Sequence, residues 1–222
     1  MTNKSGNIPI HNLTKKDYQK GAILSLENAE NLFDLANTCA KLNIPGNGLS
    51  ILITSLEELA KSAYLKIKST DPNKIVIRDI EKFFYKHEIK HLAIARLFTK
   101  LLTDNIKSKP KKEQEKLTLV IVSVFMILGY LKAINPNIKQ NGFEYYRKRG
   151  FYVELDKDTK EWNTPMNLIN NKSFDDYLNI ANQLFRSVKS DLFDSNLTDA
   201  CTREYIEKLL DENVYFRASY LQ

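Results

Sequence analysis

The chain is poor in the residues that interrupt or staple structure. Seven glycines and six prolines in 222 residues leave little room for long disordered tracts. Its two cysteines, Cys39 and Cys201, lie far apart. With no CxxC and no Cys/His spacing of the zinc-site kind, neither a disulfide framework nor a structural metal is expected. The first residues, MTNKSGNIPIHNL, lack the apolar core of a signal peptide, which predicts a cytoplasmic protein. The longest apolar run, Leu117 to Leu131, is fifteen residues and contains Ser123 and Gly129. A membrane span needs about 20 apolar residues, so this run reads as a buried core helix and no membrane association is expected. There is no P-loop, no GxGxxG and no GxSxG.

What is present is charge and helical rhythm. The net charge is +6, and its location says more than its size. Lys107 to Lys116 carries five lysines against two glutamates, and Lys139 to Gly150 carries four basic residues against one acid. These two segments hold the whole excess. They suit a surface for nucleic acid or an acidic partner, or equally two solvated loops.

Apolar residues recur at three- and four-residue steps along most of the chain. Thr14 with Asp17 forms a capping box ahead of a helix from Lys15 to Leu42. Asn43 to Gly48, with one proline and two glycines, predicts a loop. Further helices are predicted from Leu49 to Lys68, from Ile77 to Asn105 and from Lys111 to Ala133. Asn135 to Lys172 is irregular, with room for a short β-hairpin around Gly150 to Leu155. Helices resume at Ser173, behind a second acidic capping box, to Asp194, and from Thr198 to Asn213. The expected architecture is a single all-α domain: a bundle of about six helices with one irregular insertion (core helices 14–134, insertion 135–172, C-terminal helices 173–213).

Chemistry centres on the third predicted helix. On a wheel of about 100° per residue, His87 and His91 fall near the middle of its apolar stripe, with Lys90 at the edge. A buried imidazole needs a hydrogen-bond partner. The second helix offers Glu57, on the flank of its stripe, with Glu58 further round and Lys61 one turn on. Three readings stay open. The cluster fixes helix register. His87 is a general acid/base oriented by Glu57 or Glu58, with lysines holding a phosphate. The His87/His91 pair ligates zinc, which is disfavoured because no third ligand is evident. No metal or cofactor is therefore expected.

Taken together, Leu26-Glu-Asn-Ala29, Leu56-Glu-Glu-Leu-Ala-Lys61 and Phe84-x-x-His87-x-x-Lys90 resemble the AbiV family of bacterial abortive-infection proteins, a branch of the HEPN helical superfamily. Arg149-Gly-Phe-Tyr-Val-Glu154 and Trp162-Asn-Thr-Pro165 resemble that family's R-x-x-Y-V-D and W-x-x-P stretch. The resemblance implies a HEPN-like bundle, a homodimer, a phage-encoded protein trigger, and arrest of growth or translation in the infected cell. It also implies a metal-independent ribonuclease, with RNA or the translation machinery as partner, His87 as acid/base, Glu57 or Glu58 orienting it, and Lys61, Lys90, Lys82, Arg147, Lys148 and Arg149 contacting phosphate. The alternative is a non-catalytic module that binds a phage or translation-machinery partner. The usual HEPN signature, Arg followed by four to six residues and His, is not intact. Eight residues separate Arg78 from His87, and the residue at the right spacing is Lys82.

Overall fold

The computed structural model describes residues 13–70 and 142–194, apart from Asp158. The helices predicted at Ile77–Asn105, Lys111–Ala133 and Thr198–Asn213 lie outside the described residues, and with them His87, His91, Lys82 and Lys90. The described part is helical apart from a two-stranded hairpin. Among the described residues no helix is long and apolar enough to cross a membrane.

Helix α1 spans Lys15–Lys41 and begins where the sequence places it. The Thr14 amide donates to Asp17 Oδ2 at 2.9 Å, and the Asp17 amide donates back to Thr14 Oγ1 at 3.3 Å. Asp17 and Thr14 thus satisfy two of the donors that a helix start leaves unmet. At the other end, Asn43 adopts φ 55° and Ile44 N–H reaches back to Cys39 O at 3.0 Å. That is a Schellman closure, with asparagine taking the left-handed position usually given to glycine.

Helix α2 spans Pro45–Thr70 and starts four residues earlier than the sequence predicted. Proline in a first helical turn costs no hydrogen bond, so Pro45 opens the helix and does not break it. Gly46 and Gly48 are also helical. A Cβ at Gly46 would collide with the Pro165 carbonyl, and one at Gly48 with the Phe174 ring. These glycines serve close packing, not loop formation.

The two helices pack antiparallel, anchored by Ser55 Oγ donating to the Ala29 carbonyl at 2.7 Å. In that register the seven-residue series Ala22, Ala29, Ala36 faces Ser62, Ser55 and Gly48. Small residues on both faces let the backbones approach. Most of α2 is buried, on the side away from α1 as well as on the seam, so it is the central helix of the described part.

The predicted irregular insertion contains a helix that the sequence reading missed. Helix α3 spans Gly142–Arg149 and docks on the start of α2. Strands β1 (Glu154–Leu155) and β2 (Trp162–Asn163) then pair antiparallel, Glu154 opposite Asn163 and Leu155 opposite Trp162. A 3-10 turn, Pro165–Asn167, leads to α4, Asn171–Val188. Its cap is Asn170, whose side chain accepts from the Ser173 amide at 2.8 Å, and not Ser173 as the sequence suggested. Asparagine and serine are comparable caps, and the tie to Asn43 (Asn171 Nδ2 to Asn43 Oδ1, 3.2 Å) fixes this helix start beside the α1–α2 turn. Phe174, Leu178, Ala181, Phe185 and Val188 form one buried stripe. Phe185 meets Phe33 of α1 at 4.9 Å between ring centroids. The helix loosens into a π-helical turn at Lys189–Asp194, where Leu192 remains buried.

Candidate functional site

Among the described residues helix α2 carries all but one of the buried polar side chains, the exception being Ser25 on α1. Ser50, Ser55, Ser62, Ser69 and Glu57 are all buried, and Glu57 is 2% exposed. Among the described residues Glu57 is the one carboxylic acid, and the one Asp, Glu, Lys, Arg or His, in the buried set. At about 100° per residue it points some 200° away from Ser55, so it faces the side opposite α1. A carboxylate removed from water is costly unless it is partnered, and Glu57 is engaged.

One residue on, Glu58 is half-buried and holds Lys61: Lys61 Nζ lies 2.6 Å from Glu58 Oε1. The sequence pointed to Glu57 as the i,i+4 partner of Lys61, but the i,i+3 pair with Glu58 is the one that forms. The side-chain exposures, 19% for Lys61 and 14% for Glu58, put this pair at the rim of the interior.

The second group of expected site residues sits on α3. Arg147 and Lys148 are half-buried and engaged. Arg149 ties the hairpin to its helix: Nε donates to Glu154 Oε2 at 3.3 Å, Nη1 bonds the Tyr145 hydroxyl, and the guanidinium carbon lies 4.7 Å from the Tyr145 ring centroid. Helix α3 meets α2 through Ser50 Oγ donating to the Tyr146 carbonyl at 2.9 Å. Asn47 Nδ2 donates to Gly150 O at 2.8 Å, where Gly150 packs directly on Ser50. Ser50 and Glu57 share a face of α2, seven residues or about 10 Å apart along the axis. The basic helix is therefore brought to the same side of α2 as Glu57, two turns away from it.

The same docking shapes a cleft of about 230 Å³ that the residue-level reading missed, with Tyr145, Tyr146 and Tyr152 among its walls and Asn163, Thr164 and Asn167 completing a polar rim. Burial pushes the Tyr146 phenol up from its ordinary pKa, and Tyr145 adds to the shift. Tyr177 on α4 is pushed up to about 12, chiefly by burial, then by Tyr146 and Asp176. The signal for this cleft in the sequence was the Arg149–Glu154 and Trp162–Pro165 stretch, whose residues surround it.

A family model for AbiV, of the HEPN type, matches residues 17–186. The chain belongs to the HEPN-type AbiV family. The match begins on the Asp17 capping residue and runs through α1, α2, α3, the hairpin and most of α4. In this AbiV chain, then, the hairpin and its cleft lie inside the family domain and are not an appendage to it. No curated protein and no solved structure matches the chain.

Proposed function

We propose that this AbiV protein is a phage-defence factor that arrests growth of an infected bacterial cell by stopping translation, and that Glu57 with His87 forms its working centre. The observation that carries the reading is the burial of Glu57, the one carboxylic acid among the buried side chains of the described residues, whose neighbours on the buried faces of its helix are apolar or hydroxyl-bearing. Buried, partnered acids concentrate at functional sites because a shielded charge can orient and tune a neighbouring base.

In this reading the target is RNA and no metal takes part. His87 accepts the proton of a ribose 2′-hydroxyl, the 2′-oxygen attacks the adjacent phosphorus, and the 5′-oxygen leaves with a proton returned from the imidazolium. Glu57 fixes the imidazole tautomer, and Glu58 holds the Lys61 ammonium at the rim where a phosphate would arrive. Lys90 and Lys82 add positive charge. The protein works as a homodimer and is released into action by a phage-encoded protein.

A second reading has an observation of its own. Phe151, Tyr152, Val153, Leu155, Trp162 and Met166 are all exposed on or beside the hairpin. Such a face suits a non-catalytic module that docks a translation or phage protein. Incubation of purified protein with total cellular RNA separates the two. Cleavage that falls about 10²–10⁴-fold in His87→Ala supports the ribonuclease. Intact RNA together with persisting translation arrest supports the binder.

A further inference from the structure

We infer that the cleft between α3 and the hairpin is a binding site for one unstacked base of single-stranded RNA. The inference rests on the proposal that RNA is the target, and it adds the place where a base is held. Three features on α2 and one just after α3 build the cleft: Asn47 and Ser50 each donate to a backbone carbonyl of the α3 region, while Gly46 and Gly150 allow close approach to Pro165 and Ser50. A small, largely exposed hairpin needs no such anchoring for its own sake.

The lining then specifies the ligand. Tyr145, Tyr146 and Tyr152 line it with three aromatic rings, the kind of side chain on which bases of any sequence stack. Asn163 and Asn167 are carboxamides, each offering both a donor and an acceptor, as the edge of a base requires. Among the described residues no acid lines the cleft, which gives a cation nothing to bind there. Arg149 supplies one fixed positive charge, held by Glu154 and Tyr145, and α3 brings Arg147 and Lys148 in the same turn. A volume of about 230 Å³ is smaller than the roughly 300–1,000 Å³ of clefts that enclose drug-sized ligands, and suits one planar ring system. Bases in duplex RNA are stacked and cannot enter, so the site reads single strands.

The test uses the full chain and fluorescein-labelled 12-mer RNA, single-stranded and duplex, read by fluorescence anisotropy. Tyr152 is 63% exposed, so Tyr152→Ala leaves the fold intact. It is expected to weaken single-strand binding about 5- to 100-fold, the loss of one stacked base, at an unchanged salt slope. Tyr152→Phe retains the affinity. Lys148→Ala lowers the salt slope by about one. Asn163→Ala is an independent probe of the base edge and is expected to weaken binding as well. Wild-type affinity in both Tyr152→Ala and Asn163→Ala overturns the site while leaving RNA as the target, as does tighter binding of duplex. Cleavage of RNA that disappears in His87→Ala but proceeds normally in Tyr152→Ala also overturns it. Absence of any RNA binding by a wild type that still arrests cells removes the site and the RNA reading together.

Discussion

Ser55 Oγ donates to the Ala29 carbonyl at 2.7 Å, a hydroxyl bridge buried between α1 and α2. It sets the register that turns Glu57 away from α1. Ala29 already belongs to a helix, so its carbonyl keeps a backbone partner when the hydroxyl is lost. Ser55→Ala is therefore expected to cost only about 0.5–1.5 kcal/mol. Ser55→Leu forces the seam apart and costs about 1–3 kcal/mol or more. Urea unfolding followed by circular dichroism checks both.

Gly48 is helical yet cannot bear a methyl group. A Cβ there runs into the Phe174 ring and lies 2.9 Å from Cys39 Cβ. An ordinary glycine-to-alanine change inside a helix gains about 0.5–1 kcal/mol. Here Gly48→Ala is expected to destabilise by about 1–3 kcal/mol, because Phe174 is fully buried and has nowhere to move. A variant as stable as the wild type in thermal unfolding contradicts this packing.

The Tyr177 phenol is pushed up to about 12 by burial, by Tyr146 and by Asp176. A phenol whose folded pKa exceeds its unfolded value of 10.0 favours the folded state while neutral. That contribution is whole below pH 10 and is lost as pH rises towards 12. Unfolding midpoints should therefore fall between pH 10 and 12 in the wild type and fall less in Tyr177→Phe.

The capping box works in the opposite direction. The Asp17 carboxyl is held below its ordinary 3.8, first by the Thr14 hydroxyl, then by the Thr14 amide. Its stabilisation is full above pH 3.8 and is lost as pH falls through the depressed folded value. Thr14→Ala should lower the melting temperature at pH 7, with the gap to wild type narrowing below pH 3.

Local signals were legible in the sequence. Thr14 and Asp17 announced the start of α1, and the general helical rhythm placed a helix from Ser173 to Asp194, over most of α4. The family resemblance and the all-α class were legible too. What could not be read depends on partners distant along the chain. Gly46 and Gly48 look like loop residues until Pro165 and Phe174 are packed against them. Helix α3 is short and strongly basic, and its place is fixed by Ser50–Tyr146 and Asn47–Gly150, which join residues 96 and 103 apart. At the candidate site the sequence named Glu57 and Glu58 correctly as residues of one helix. It could not tell that Glu57 turns inward while Glu58 takes Lys61, because both lie within a turn of the lysine and only the surrounding packing chooses between them.

The account stands on the charge of Glu57. Its direct test is pulse-labelling of protein synthesis in phage-infected cells carrying the wild type or Glu57→Gln, at matched protein levels and melting temperatures. Glutamine keeps the size and one acceptor oxygen but removes the charge and turns the other oxygen into a donor. The account predicts that wild-type cells stop synthesis and that Glu57→Gln cells continue. A folded Glu57→Gln protein that stops synthesis as fully as the wild type contradicts it.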